Sequence, residues 1–289
     1  MDESHSGPVG PGTVRAVLIV AHLTFEEARR RRILAAALIL GTAFLALFAT
    51  GLFFILRDLR LRVPAGQQRL LISFPVMAGL YAANFLIVVT SILVAVDTVA
   101  GEIASGVVET LCSKPVTRTA IILGKWLGCW FLLALYEGLL VGGVFLVSRL
   151  VAGYTPPHAA RGGGLMLLEG TVLLTLAVAG GTRLDSLTNG VSVLGLYGLA
   201  FIGGWMEQIG TLAGNATTRY LGIAASLIVP SESLWQLAAH YMQPPVARDL
   251  NLTPFSPASV PSAAMVAWAV SYVLVVLLTG LRLFQTRDL

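Results

Sequence analysis

Two acidic side chains lie inside long apolar stretches of the sequence, where ionisable groups are rare. Glu137 and Glu169 each interrupt an otherwise uncharged run of roughly 20 residues. A charged side chain at the centre of a bilayer costs about 2.5–3.5 kcal/mol even on insertion scales, so both carboxyls should point inward, pair or be protonated. Their functional interpretation is the polar lining of a path across a membrane, or a protonatable site. The structural alternative is a hydrogen bond to a neighbouring helix, with Tyr136, Thr171 and Thr175 as candidate partners.

A second group of polar side chains lies between two apolar stretches, in the segment Val96–Lys125. On a helical wheel, one arc of about 100° holds five small or acidic residues: Glu102, Ser105, Gly106, Glu109 and Ser113. Apolar residues fill the opposite half, so the pattern predicts an amphipathic helix. Pro115 ends this helix because the residue before a proline is displaced from the α region, and Thr117 or Thr119 can cap the next one. Such an element docks a partner or transmits force, whereas the alternative is a solvated helix face.

The remaining residue types indicate no further chemistry. The four histidines are scattered without ligand spacing, and Cys112 and Cys129 form neither a disulfide pattern nor a metal set. No pairing of a nucleophile with a base is evident. The phosphate-binding pattern G-x-x-x-x-G-K-[ST] is absent, since Gly124-Lys125-Trp126 lacks the first glycine and the hydroxyl. The sequence therefore predicts neither an enzyme nor a cofactor in this chain.

The elements that position these residues are predicted to be membrane-spanning helices. Hydrophobic residues make up 56% of the 289 residues and charged residues 12%, whereas about a quarter of the residues in a soluble domain are charged. A helix needs roughly 20 apolar residues to cross a bilayer, where its backbone must hydrogen-bond internally. Six runs satisfy this length, at about residues 33–56, 70–96, 126–148, 162–182, 186–206 and 258–281. The predicted fold is an all-α integral membrane protein, and the net charge of +4 gives no indication of nucleic-acid binding.

The N-terminal region is predicted to lie on the cytoplasmic side of the membrane. Residues 1–12 are expected to be disordered, and residues 13–289 to form the transmembrane domain. Thr13–Arg32 carries an apolar stripe opposite polar residues, which is typical of an interfacial amphipathic helix. Because the cluster Arg29–Arg32 precedes the first span, both termini and the Val96–Lys125 segment are predicted to be cytoplasmic. This orientation places eleven Lys and Arg residues inside and eight outside, and the four arginines of the first outer loop argue against it.

The long stretch 207–257 is then predicted to be external. Its apolar piece Tyr220–Val229 is too short to span and ends at Pro230, so a re-entrant or interfacial helix pair is expected. A span at this place would change the topology of the C-terminal third. Ser231-Glu232-Ser233 is interpreted as a helix N-cap.

Residues 101–118 read GEIASGVVETLCSKPVTR and are followed by IILGK at 121–125. This arrangement resembles the signature of ABC-2 type transporter permeases, approximately E-x-x-x-G-T-hydrophobic-E-x-L-hydrophobic-x-x-P-hydrophobic-x-R and then G-K. The matching residues are Glu102, Gly106, Glu109, Leu111, Pro115, Arg118, Gly124 and Lys125, whereas Val107 replaces the usual threonine. The segment Phe284–Leu289 is similar to the family's F-x-R-R-D-L-like tail, from which Thr286 departs.

The resemblance implies the permease subunit of an ATP-driven ABC transporter. Two copies, or one copy and a homologous permease, would form the translocation path, and a separate ABC ATPase subunit would hold ATP and Mg. That ATPase would receive the cytoplasmic coupling helix between spans 2 and 3, whose assigned residues are Glu102, Ser105, Gly106, Glu109, Ser113, Pro115 and Arg118. The family consists mostly of exporters, which implies efflux across a prokaryotic inner membrane with the substrate left open.

The rival hypothesis is a membrane enzyme or a membrane scaffold that uses the carboxylates Glu137 and Glu169. An enzyme of this kind should show His, Asp or Glu residues clustered near one membrane face, and the sequence has no such cluster. A scaffold that couples ATP hydrolysis to mechanical work stays open as an alternative.

Overall fold

The computed structural model describes residues 11–30, 32–105, 117–249 and 259–287. Within these ranges the chain forms helices and no strand. In chain order they are α1 (Pro11–Arg30), α2 (Arg32–Arg62), α3 (Ala65–Ala104), α4 (Arg118–Ala152), α5 (Ala159–Gly180), α6 (Ser186–Leu212), α7 (Ala216–Ile228), α8 (Ser231–Met242), α9 (Pro245–Asp249) and α10 (Ala263–Gln285). Of the segment predicted to be disordered, Pro11 and Gly12 begin α1, and residues 1–10 lie outside the described ranges.

Six of these helices are long and apolar enough to cross a membrane, namely α2, α3 from Gln67 onward, α4, α5, α6 and α10. The predicted all-helical class and the number of spans are therefore confirmed. Two spans are much longer than their apolar runs, because α3 continues past Val96 to Ala104 and α4 begins at Arg118. At 1.5 Å per residue, α3 is about 60 Å long, whereas the hydrocarbon core is about 30 Å thick. Hydropathy marks only the part of a helix that lies in hydrocarbon, so it did not reveal these extensions.

The centre of the bundle is formed by α3 and α5. In the most apolar stretch of each of these helices 61% of the residues are buried, compared with 11% in α2 and 22% in α10. Peripheral side chains such as Leu47 on α2 and Leu278 on α10 are exposed. Because these exposed side chains are apolar, we expect them to contact lipid.

The N-terminal helix α1 packs along the first half of α4. Two glycines of α4 permit this approach: a Cβ on Gly124 would lie 2.6 Å from Val20 Cβ, and one on Gly128 would lie 2.7 Å from the backbone oxygen of Ala21. The amphipathic pattern predicted the helix but not its packing partner. Its position at the membrane interface stays a prediction.

Helices α7 and α8 follow each other directly in the chain and pack on different helices of the bundle. α7 packs on α6, where a Cβ on Gly222 would lie 2.5 Å from the backbone nitrogen of Glu207. α8 packs on α5 and is buried over nearly its whole length. With 13 and 12 residues, neither helix reaches the roughly 20 needed to span. The structure therefore shows the expected helix pair in the described part of 207–257.

The N-cap interpretation of Ser231-Glu232-Ser233 is wrong. α8 begins at Ser231 with Pro230 in the N-cap position, and no side chain there makes a capping hydrogen bond. All three residues are buried instead, because this end of α8 is directed into the bundle.

The close approach of α1 and α4 can be tested with one added methyl group. Gly128→Ala should lower the free energy of unfolding by about 1–3 kcal/mol relative to Gly142→Ala, since the new Cβ must displace backbone. Gly142 lies on the same helix, and a Cβ there meets nothing within 4 Å. Thermal unfolding of the two purified variants in detergent measures the difference. Equal melting temperatures would contradict the packing of α1 on α4.

Candidate functional site

The predicted coupling segment is held between the end of α3 and the start of α4. α3 ends at Ala104, and α4 begins at Arg118 after the N-cap residue Thr117, whose hydroxyl accepts a hydrogen bond from the Ala120 amide at 3.3 Å. Of the assigned coupling residues, Glu102, Ser105 and Arg118 are described. Gly106, Glu109, Ser113 and Pro115 lie outside the described residues, as does the predicted coupling helix from Gly106 onward.

Glu102 forms a buried ion pair with Lys125. The Lys125 ammonium donates to the Glu102 carboxylate across the gap between α3 and α4, and it also donates to the Thr98 carbonyl at 3.1 Å. Only 8% of Glu102 and 2% of Lys125 are exposed. Two charges removed from water in this way are tolerated only when they are paired and hydrogen-bonded. The pair therefore ties together the two helices that carry the coupling segment.

Glu102 is buried in the structure and does not lie on a separate surface helix. The helical wheel treated residues 102–113 as a separate surface helix, whereas Glu102 belongs to the last turns of α3. The direction of its side chain is therefore set by the packing of α3 on α4. Ser105, which follows α3, is exposed. A contact of either residue with an ATPase stays a prediction.

Arg118 joins the start of α4 to the end of α10. Its Nη1 donates to the carbonyl of Gln285 at 3.0 Å and to that of Arg287 at 2.8 Å. The Gln285 side chain donates in return to the Thr119 hydroxyl at 2.9 Å. Thr119 is thus occupied by this contact, and Thr117 is the residue that caps α4.

The same C-terminal residues reach the turn between α5 and α6. Arg287 donates to the Thr182 carbonyl, and Arg183 donates to the Thr286 hydroxyl at 3.0 Å. Thr286 is the position that departs from the family-like tail, and its hydroxyl gives Arg183 an acceptor. We call the contacts of Gln285, Thr286 and Arg287 with α4 and this turn the C-terminal clasp. The clasp had no signal in hydropathy or periodicity, because its acceptors are mostly backbone carbonyls.

The end of α3 is also joined to the start of α6. Ser186 donates to Asp97 at 2.8 Å, and the Asn189 amide donates to the Ala177 carbonyl of α5 at 2.7 Å. Asp185 caps α6, and hydrogen bonds from the side chain and amide of Thr188 hold the pKa of Asp185 below its usual range. One end of the bundle is therefore linked by polar contacts among α3, α4, α5, α6 and α10.

Glu137 and Glu169 lie in the interior of the bundle. Glu137 is 5% exposed, and Glu169 is completely enclosed. The hydroxyls of the proposed partners bond elsewhere: Tyr136 donates to Ala37, Thr171 to Leu167 and Thr175 to Thr171. The electrostatic neighbours of Glu169 are instead Glu232 on α8, Asn84 on α3 and Glu137 on α4.

Glu232 is the member of this group that sequence reasoning missed. It was assigned to a helix cap because it follows Pro230, but it is 6% exposed, and its side chain lies against Gly204 of α6 and within electrostatic range of Glu169. The available signal was the apolar surroundings of an acidic residue in a segment too short to span. The arrangement also resembles no metal centre, because no three His, Cys, Asp or Glu residues of the described ranges are placed to hold a metal ion.

A comparison with protein families gives one match that covers most of the chain. Residues 18–289 match the family described as ABC-2 family transporter protein. Comparison with curated proteins gives no match.

The Lys125–Glu102 pair predicts a specific pattern of stabilities. Lys125→Met should cost about 3–5 kcal/mol, because Glu102 would stay buried without its cation. Adding Glu102→Gln should recover much of this loss, whereas Arg149→Met at the exposed end of α4 should change stability by less than about 0.5 kcal/mol. Unfolding of the four proteins in detergent measures these differences. A double variant no more stable than Lys125→Met alone would show that the two charges do not stabilise each other.

Proposed function

Because the chain belongs to the ABC-2 family of transporter proteins, we propose that it forms the translocation path of an ABC exporter together with a second copy of itself. In this proposal a separate ATPase subunit binds ATP and Mg and docks on residues 102–118. The chain is a multi-pass membrane protein. Its proposed location is a prokaryotic inner membrane, with both termini and residues 102–118 on the cytoplasmic side.

The observation that carries the proposal is that both ends of the 105–117 segment are fastened to the bundle. At the α3 end, Glu102 is bound by Lys125 of α4, and at the α4 end, Arg118 is bound by the C-terminal clasp. A force applied to the segment therefore acts on both helices at once. The clasp carries the same displacement to α10 and to the turn between α5 and α6.

The length of α3 and α4 supports the same mechanism. Since α3 is about 60 Å long and the hydrocarbon core about 30 Å thick, much of α3 projects beyond the bilayer. A rigid projecting helix converts movement at its tip into a tilt of the part that lies in the membrane. ATP-driven closure of the partner subunits would supply that movement, and alternating exposure of the path would follow.

Glu137 and Glu169 stay candidates for the translocation path. Both are buried within one copy, so they would line a path only after the surrounding helices separate. The direction of transport rests on the family resemblance alone. A membrane enzyme remains the alternative outcome of the experiments below.

Docking of the ATPase is tested by reversing charge on the proposed coupling face. Affinity-purified wild type from its native host should carry a P-loop ATPase identified by mass spectrometry, and Glu109→Arg should lose it. Asp58→Arg is the matched control, because it also replaces an acidic side chain by arginine, at an exposed residue near the C-terminal end of α2. Retention of the ATPase by Glu109→Arg would contradict the docking site. A chain that purifies alone and turns over a lipid would favour the enzyme.

The proposed orientation is tested by labelling thiols on intact cells. In a Cys112→Ser background, Ser105→Cys should react with a membrane-impermeant maleimide only after the cells are opened, since Ser105 is exposed at the end of α3. Leu61→Cys should react on intact cells, because Leu61 is 78% exposed at the far end of α2. The remaining Cys129 is fully buried. Labelling of Ser105→Cys on intact cells would place the coupling segment outside and overturn the proposal.

A further inference from the structure

Around Glu169, buried oxygen atoms that can only accept hydrogen bonds are left without donors. Both carboxylate oxygens of Glu169 are in this state, as are Glu137 Oε2, Asn84 Oδ1 and Gln236 Oε1. Asn84 and Gln236 are 4% and 7% exposed. Asn84 on α3 is a neighbour of Glu169. Gln236 and Glu232 on α8 lie side by side against Gly204 of α6.

Among the described residues, the groups known to act on Glu169 and Glu232 carry no positive charge. We call Glu137, Glu169 and Glu232 the carboxyl cluster; they come from α4, α5 and α8. The other titratable groups that face it are Tyr81 on α3 and Tyr197 on α6, which are neutral phenols near pH 7. No basic residue of the described ranges acts on Glu169 or Glu232. Glu207 on α6 is also buried, and it packs against Gly222 of α7.

Three ionised carboxylates would be unfavourable in this place. A charge buried without a partner is costly, and like charges at low dielectric repel one another strongly. A proton on one carboxylate removes its negative charge and turns one oxygen into a hydrogen-bond donor. The protonated oxygen and the oxygen that accepts from it are then both hydrogen-bonded. Within the described ranges, no three His, Cys, Asp or Glu residues have the spacing that a metal ion requires. A metal ion at this place would therefore have fewer than three such ligands.

We propose that Glu169 is a proton-binding site, which holds an exchangeable proton at neutral pH because both of its carboxyl oxygens are enclosed without a hydrogen-bond donor. On release the proton passes to water. Two charged carboxylates would then repel each other across the contact between α5 and α8. Binding of the proton therefore favours the packing of α8 on α5. This inference does not rest on the proposed transport role.

Infrared spectroscopy of the purified chain in lipid tests the site directly. Wild type at neutral pH should show the C=O absorption of a protonated carboxyl group, which shifts in D₂O and disappears as the pH is raised. Glu169→Gln and Glu232→Gln should reduce this band, whereas Glu26→Gln should leave it unchanged because Glu26 pairs with Arg29 on α1. If the variants fail to fold, the titration of wild type still decides the question.

Movement of α8 provides a second measurement. Hydrogen–deuterium exchange of residues 231–242, corrected for intrinsic rates, should rise over the pH range in which the band disappears. Glu232→Gln should remove this dependence. Absence of a protonated-carboxyl band in wild type would overturn the proposal. A second result would also overturn it. If the wild type lacks the band and its melting temperature rises with sodium chloride but not with choline chloride, the site binds a metal cation and not a proton.

Discussion

The ion pair between Glu102 and Lys125 connects the last turns of α3 with the first turns of α4. Both groups are almost fully removed from water, and each is acceptable there only because the other is present. The pair therefore fixes the relative position of α3 and α4 at the base of the 105–117 segment. Thr117 and Arg118 then set the direction in which the chain returns, through the cap of α4 and the clasp.

Close contacts at glycine residues allow α1 to pack on α4, and α7 and α8 to pack on α6. Gly124 and Gly128 admit α1, and Gly203, Gly204 and Gly222 allow α6 to receive α7 and α8. Helices in a membrane associate through such small residues, because lipid tails offer no hydrophobic drive between helices. Polar contacts add direction to this packing, as between Ser186 and Asp97. Packing thus places the helices, and hydrogen bonds determine their register at one end of the bundle.

The six spans were predictable because the length of an apolar run is a strong constraint in a bilayer. Local chemistry likewise predicted the helix after Pro115 with Thr117 or Thr119 as its cap, and the structure shows Thr117 in that position. The partner of Lys125 had no such signal, since an ion pair between two helices leaves no period in the sequence. Glu232 was missed because its position after Pro230 and Ser231 indicated a helix N-cap, whereas the fold directs this end of α8 into the interior. Local rules identified the helices, and only the tertiary structure showed which side chains meet.

The docking of α1 on α4 has a consequence for how the chain is made. α1 leaves the ribosome before α2 and α3, whereas Gly124 and Gly128, which receive it, follow much later in the sequence. During this interval Val17, Val20 and Ala21 have no protein surface to cover them. An amphipathic helix can rest on a lipid surface, so we expect the newly made α1 to lie on the membrane until α4 has been inserted. The apolar stripe of α1 would then contact two successive partners, first lipid and then protein.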